Sequence, residues 1–433
     1  MTAQVIITVL IFTMSIILIA TETIHKTVAA LSGAALMFMY LAITDGLTFD
    51  VIIGVGEASP WIDLSVIAVI LGMMITVEVV KTSGLFQYIT IKAVKAFASS
   101  PMKLLMMFTV LTAVLSSLLE NITALLIIGV LTLTTCRSLD LDPVPFLVSE
   151  AVATKAGGIP LLVSAVPNLL VGEAANLTFS DYFVMFAPIG FVMIAITAGY
   201  LAFLYRNSLG EIKEENLKRI MLFDESSVVT DKSLFYRTTI LFTLIIIGFV
   251  TIPYLDAVSI VGAILMLVLS GVDPEHVLHK VEWASIFFFM GLFVMVEGLI
   301  HVGALSILAD ILVSLASGNE VFSVISTLWI MGITSSIVDD ITLATMMVPV
   351  IEDLIAQTGF SAFSYWRALI LAANLGAVFT HFGSPSTIIA FNMAKRAGAT
   401  ITFKEWAKAG VAMGFIYMTV SSIYLFITIM LGI

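Results

Sequence analysis

The chain has 433 residues, 60% of them hydrophobic and 11% charged, with a formal net charge of -11. An average soluble domain is about 45–50% apolar and about 25% charged, so an ordinary soluble domain is excluded, and runs near 20 apolar residues, each able to cross about 30 Å of hydrocarbon as a helix, point to a polytopic helical membrane protein. Cys136 is the one cysteine, which excludes intramolecular disulfides and cysteine-based metal clusters.

The first apolar run, about 4–20, has no basic residue before it and no small-residue cleavage site after it. It reads as the first spanning helix rather than a signal peptide. A helix over about 64–80 carries Glu78 within "GMMITVEVVKTSG", and the following loop, 81–103, holds Lys81, Lys92, Lys95 and Lys103 and no acid. The stretch "SSLLENITAL", 116–125, then sets Glu120 and Asn121 in the middle of apolar sequence, where a charge costs about 2.5–3.5 kcal/mol. Next comes "TKAGGIPLLVSAVPNLL", 154–170, whose Gly157, Gly158, Pro160 and Pro167 cannot continue one straight helix cheaply. The segment 171–181 has Glu173 and Asp181 and no base. A polar linker, 206–237, has six bases and six acids and no nucleotide-binding or metal-ligand spacing. It is too short to fold alone and reads as a solvated connector.

Beyond the linker the pattern recurs. "SSIVDDITLA" at 335–344 repeats "SSLLENITAL" with an offset of 219, and Gly72, Glu78 and Gly84 meet Gly291, Glu297 and Gly303 of "GLFVMVEGLIHVG" at the same offset. With small gaps, "GAALM" at 33–37 meets "GAILM" at 262–266, and "LTFSDYF" at 177–183 meets "ITFKEWA" at 401–407. The matches are polar residues or glycines in one register, which chance similarity between leucine-rich helices does not produce. The chain therefore divides into two halves, 1–205 and 238–433, joined by 206–237.

Loop charges orient the halves, since basic residues favour the cytoplasmic side. The loop 301–320, partner of the basic loop 81–103, has no Lys or Arg but holds Asp310 and Glu320. Later the relation reverses: 171–181 is acidic, while 395–408 carries Lys395, Arg396, Lys404 and Lys408. Equivalent loops thus face opposite sides, the pattern of inverted-topology repeats in secondary transporters. The expected fold is all-α and polytopic, two inverted repeats with broken helices and re-entrant hairpins and about 10–12 spanning segments. The N-terminus lies outside and the linker inside.

In such folds the substrate site lies near the midplane, where helices are interrupted in equivalent places and free backbone groups and half-helix ends bind ions. Glu120-Asn121 and Asp339-Asp340 are expected to face each other there. Ser116, Ser117, Thr123, Ser335, Ser336 and Thr342 are candidate neutral oxygen ligands. Ser and Thr also bond helices to one another in membranes. The Gly/Pro-rich element 154–170 and its counterpart "NLGAVFTHFGSPSTII", 374–389, with Gly376, Gly383 and Pro385, each read as a re-entrant hairpin or broken helix. Asn168 and Thr387 occupy corresponding positions shortly after a proline. Glu78 and Glu297 read as groups reaching interfacial water, or as a proton path or scaffold contact. His381, inside the second broken element, reads as a packing residue.

These residues resemble the ion transporter superfamily, in the branch of arsenite-efflux permeases, NhaD-type sodium/proton antiporters and the P-protein. That branch has an acid-Asn-(Ile/Val)-Thr break, then a Thr-Asn-Ile-Gly-Gly segment ending in Pro-Asn; here they read "ENIT" and "TKAGG…VPNLL", and "GMMITVEVVKTSGLFQYITIKAVK" is also similar. The resemblance covers nearly the whole chain. It implies an alternating-access secondary transporter of a small ion, often dimeric, with no cofactor. The chain departs from the branch in three places. Lys155 stands where the family has Asn, Ser164-Ala165-Val166-Pro167 lacks the acid usual before Pro-Asn, and Glu78 and Glu297 stand where Gly is more frequent. Lys155 can act as a fixed positive charge in a cation site, paired with Glu120, or reach an interface as a snorkelling side chain.

A membrane-embedded aspartyl protease would need Tyr-Asp and Gly-x-Gly-Asp, and a zinc protease His-Glu-x-x-His; none occurs. A channel is a further class, and paired breaks with titratable groups argue against it. Among transporters, Glu120, Asp339 and Asp340 favour a hard cation such as sodium, exchanged for protons. Lys155 and helix N-termini favour an anion, and Ser, Thr and Asn suit neutral arsenite. Citrate and dicarboxylate carriers of the superfamily show Ser-Asn-Thr in both halves, and that motif is absent. The expected order is cation/proton exchange first, arsenite or another oxyanion second, organic anion third. The expected partners are the small ion and the lipid bilayer; no nucleic acid is expected, and a homodimer is implied by the resemblance.

Overall fold

The computed structural model describes residues 3–21, 23–54, 60–222, 225–229, 231–315, 318–381 and 383–432, and no strand occurs among them. The first half comprises α1 (Ala3–Thr21), α2 (Lys26–Asp45), α3 (Phe49–Ile53), α4 (Leu64–Thr82) and α5 (Leu85–Phe97). It continues with α6 (Pro101–Leu118), α7 (Asn121–Leu139), α8 (Val144–Gly157), α9 (Val166–Ala174) and α10 (Phe179–Tyr205). The linker holds α11 (Glu214–Met221); its residues 223, 224 and 230 lie outside the described ones. The second half opens with α12 (Lys232–Thr251), which begins six residues before the expected boundary at 238 because Asp231 caps it, and continues with α13 (Leu255–Ser270), α14 (Pro274–Leu278), α15 (Trp283–His301) and α16 (Ser306–Leu315). It closes with α17 (Glu320–Ser335), α18 (Asp340–Thr358), α19 (Ala362–Gly376), α20 (Pro385–Arg396), α21 (Phe403–Trp406) and α22 (Ala412–Leu431), the last two joined by a π-helical turn, Ala407–Val411. Ten elements thus recur in one order on either side of the linker, with α21, the π turn and α22 standing together for α10. The bounds of α4 and α15, and of α7 and α18, lie 219 residues apart, the offset of the sequence repeat.

Among the described residues nine helices are long and apolar enough to cross a membrane, and Ala3–Ile19, Leu255–Ser270 and Glu320–Ser335 are shorter apolar helices. The chain is a multi-pass membrane protein with the all-helical fold its composition demands. Local chemistry sets many helix starts. Asp63 caps α4 at the Val66 amide, 3.0 Å away. Capping boxes start α10 (Thr178, Asp181) and α21 (Thr402, Glu405), at the two places where the "TF" segments repeat; each satisfies two otherwise orphaned backbone donors.

The halves interlock. α2 packs on α15, and α13 packs on α4. Thr27 Oγ1 donates to the Ala284 carbonyl at 2.7 Å, and Ser259 Oγ donates to the Val69 carbonyl at 2.8 Å. Within each half, α6 packs on α8 and α17 on α19. Both contacts depend on missing side chains: a Cβ at Gly157 would sit 2.3 Å from the Ala113 carbonyl oxygen, and one at Gly376 2.2 Å from that of Gly332. Close backbone approach through small residues is how helices associate in a membrane.

The "SSLLENITAL" stretch is the turn of a hairpin rather than an unwinding within one helix. Leu119 and Glu120 are both extended, and α5 packs against α6 and α7 alike. The linker ties down the end of the hairpin remote from this turn, with Lys95 paired to Glu225 and Lys213 Nζ 3.1 Å from Asp140 at the end of α7. The Gly/Pro-rich elements are the broken helices. Between α8 and α9, residues 158–165 are buried apart from a half-buried Leu161, as irregular backbone at membrane depth must be. The freed carbonyls find partners: Asn168 Nδ2 and Ser164 Oγ each donate to Gly158 O at 2.7 Å, and Tyr182 donates to Ile159 O at 3.0 Å.

Candidate functional site

The hairpin turns and the broken helices meet at the centre, across the halves: α9 packs on α18 and α19, and α20 packs on α7 and α8. α8 is buried along its whole length, including Lys155, which is 1% exposed. Its ammonium bonds Ser384 Oγ and lies 3.5 Å from Asp340 Oδ2. Ser384 Oγ is also 2.9 Å from Ser386 Oγ, which lies 3.3 Å from Thr154 Oγ1. One lysine of the first half therefore enters a polar cluster built by the second.

The reciprocal arrangement uses amides. Asn374 stands 219 residues after Lys155 and enters the first half's cluster, where its Nδ2 donates to Asn168 Oδ1 at 2.8 Å. Its Oδ1 has no partner among the described residues and faces Gly158, where a Cβ would come within 2.9 Å of it and 3.6 Å of Asn121 Oδ1. Asn121, the counterpart of Asp340, accepts from Ser116 Oγ at 2.5 Å. Charge pairs the halves at one cluster and neutral amides gather at the other.

A cavity of about 150 Å³ reaches this centre, with Glu120, Asn121, Thr123, Ser164, Asp340 and Ser384 in its wall. Lys26, Glu78, Lys81, Lys280 and Glu282 also line it. Glu78 bonds Lys81 at 2.8 Å and Lys280 at 3.3 Å. It is thus a scaffold contact of α4 with the segment before α15, rather than a group reaching interfacial water. Glu297 is half-buried on α15 and does not line this cavity.

The structure brings some expected ligands together and assigns others elsewhere. Lys155 pairs with Asp340 and not with Glu120. Asp339 caps α18: its Oδ1 accepts from the Ile341 and Thr342 amides at 3.1 Å and its Oδ2 from Thr342 Oγ1 at 2.5 Å. Asp339 and Thr342 therefore satisfy each other and stand outside the cavity wall. Glu120 holds the equivalent position before α7, faces the backbone amides of Ile122 and Thr123, and unlike Asp339 lines the cavity. Ser117 and Ser336 bond carbonyls of their own helices, at Ala113 and Ile333, while Ser335 bonds Ala373 O of α19 at 2.9 Å. Of the three, only Ser335 bonds one helix to another. Thr387 is fully buried with Oγ1 unpartnered. His381 stacks on Phe391, their ring centroids 5.4 Å apart.

Sequence reading missed Asn374, Ser384, Ser164 and Lys26. Asn374 had a signal, since it lies at the repeat offset from Lys155; Lys26 had none, being one basic residue at a helix start. Among the described residues no group of three or more His, Cys, Asp or Glu side chains could hold a metal ion.

Comparison with known proteins gives a consistent result. Residues 16–372 match the model of a family described as citrate transporter (CitMHS). A 46 kDa membrane protein of Mycobacterium leprae is 30% identical, and an uncharacterized transporter of Mycobacterium tuberculosis 31% identical, each over 98% of both chains. The human P protein is 24% identical over 95% of this chain and 58% of its own length. Among solved structures, the YdaH transporter of Alcanivorax borkumensis shares the fold, with a TM-score of 0.62 at 13% identity, over 94% of this chain and 99% of that one.

Proposed function

We infer the function from one premise: the chain belongs to the citrate transporter (CitMHS) family of membrane transporters. The reading is a secondary active transporter that moves a small ion by alternating access in exchange for protons, with two inverted repeats and the linker on the cytoplasmic side. The observation that carries it is the buried pair of Lys155 with Asp340, 1% and 9% exposed at their side chains. A lysine in that cluster is a tethered cation. It supplies the positive charge that a bound sodium ion would bring, and it cannot leave. Coupling then falls to proton exchange at groups that can titrate. Glu120 is the first of these, since it lines the cavity.

In the working cycle, the ion and a proton compete for the cavity wall around Glu120 and Asp340. An ion bound beside Asp340 weakens the hold of Lys155, and the broken helices carry that change between the halves. No ATP-binding loop is needed.

Two observations favour a second reading, an anion or oxyanion permease. Lys26, Lys81 and Lys280 all line the cavity, and the family model is described by citrate. Proteoliposomes with a trapped pH dye separate the two. Sodium, lithium, potassium, arsenite and citrate are added in turn across a pH gradient. Cation-evoked proton flux that is lost in Asp340→Asn supports exchange. A silent cation series with citrate or arsenite flux overturns it in favour of the permease.

A further inference from the structure

A second carboxyl group lies in the same helix as Lys155 and takes no part in the cavity. Glu150 is fully buried. Its Oε1 is bonded by Thr132 Oγ1 of α7, and its Oε2 has no partner among the described residues. The elements packed on α8 are α6, α7, α10, α19, α20 and the π turn, and Tyr417 of α22 reaches it with a hydroxyl 3.4 Å from the Val152 carbonyl. From these, the titratable group that faces Glu150 is the buried thiol of Cys136 on α7. Among the described residues no cation pairs with Glu150. A bare carboxylate in that position would be a buried charge without compensation, a cost that one hydrogen bond does not offset.

Packing does not require the pair. The positions 219 residues on from Glu150 and Thr132 are Leu369 and Ile351, each 0% exposed. The second half fills the corresponding place with hydrocarbon alone, and the fold accommodates it.

We propose that Glu150 is a proton-binding group of the transport cycle, holding one proton in this conformation and releasing it to solvent in another. The coupling follows from Lys155, five residues further on and about 7.5 Å along the helix axis. While Asp340 holds Lys155, the ammonium is compensated. When an ion engages Asp340, the freed ammonium favours an ionised Glu150. The carboxyl O–H bond breaks, the proton leaves, and the charge on α8 falls by one. This inference rests on the proton-coupled reading above and adds a second titrating group to it.

Infrared difference spectra of the reconstituted protein test it directly. The carbonyl band of a protonated carboxylic acid is expected in the wild type, varying with pH and on addition of sodium or citrate, and absent in Glu150→Gln. A band that does not change with pH or either probe, or that persists in Glu150→Gln, overturns the proposal whatever the transport assay gives. In pH-dye proteoliposomes the proton count per ion is expected to fall by one in Glu150→Gln. The same is expected in Thr132→Ile/Glu150→Leu, which copies the second half's packing and keeps its thermal midpoint near the wild type. Unchanged proton counts in a folded Gln variant overturn the role of Glu150 and leave proton coupling standing. A wild type that moves no protons with any probe overturns proton coupling itself.

Discussion

Lys155 and Asp340 form an ion pair across the two halves of the chain, 3.5 Å apart and withdrawn from solvent. Removing one partner of such a pair leaves a buried charge uncompensated, at a cost of about 3–5 kcal/mol. Lys155→Met and Asp340→Asn should each lower the thermal midpoint in lipid nanodiscs. The double variant Lys155→Asn/Asp340→Asn, which reproduces the chemistry of Asn374 and Asn121, should recover most of the loss. If the double variant is no more stable than either single one, the pair is not the source of the effect.

On the proposed reading the same lysine sets the coupling ion. Lys155→Asn removes the tethered cation and reopens its cluster. Transport by this variant should become dependent on sodium, read as a rise in uptake with external sodium at fixed pH. A uniform fall at every sodium concentration would instead make Lys155 a ligand of an anionic substrate.

Asp339 and Asp340 are adjacent and should behave differently. Asp339 accepts three hydrogen bonds at the start of α18, so Asp339→Ala should cost about 0.5–2 kcal/mol of stability as a lost cap. Asp339→Asn, a competent cap, should keep both stability and coupled transport. Asp340→Asn should abolish coupled transport. Equal loss in the two Asn variants would return Asp339 to the ion site.

Gly157 admits the carbonyl of Ala113, and a Cβ there would lie 2.3 Å from it. Since the obstruction is backbone, Gly157→Ala must push α8 off α6, an overpacking cost of about 1–3 kcal/mol. Its thermal midpoint should fall, whereas Gly199→Ala, with nothing within 4 Å of its added Cβ, should not.

The cavity lysines offer a test of substrate sign. Lys81 and Lys280 have side chains 41% and 46% exposed, so their attraction for an ion is screened by salt. If the cargo is an anion, Lys81→Gln/Lys280→Gln should slow uptake mainly at low ionic strength, and added salt should erase the difference from wild type. For a cation the same variant should leave uptake unchanged or raise it.

Much of this fold is legible from composition and the 219-residue offset, because a membrane leaves helices few alternatives and a repeated polar register is hard to produce by chance. The breaks at Gly157-Gly158-Pro160 and around Gly383-Pro385 could be read for the same reason: these residues resist helix wherever they stand. Three things could not be read. Periodicity shows where a helix stops but not whether the chain then reverses, so the hairpin turn at Leu119-Glu120 looked like an interruption. Nor does a sequence say which acid meets which base across two halves. Lys155 is 35 residues from Glu120 and 185 from Asp340, yet it is the distant acid it touches. Asp339 looked equivalent to Asp340 because capping is decided by backbone direction, which the residue type alone does not carry.

The offset places Lys155 opposite Asn374 and Asp340 opposite Asn121. Were the two halves separate copies of one chain, any lysine on the first would come with its twin, and the centre would hold two lysines and two aspartates facing each other. Joining the halves through the 206–237 linker makes them free to differ at single positions. One side can keep a permanent ammonium while the other keeps an amide with an oxygen to spare. A centre with a single lysine is open to a fused duplication and closed to a symmetric pair of identical subunits.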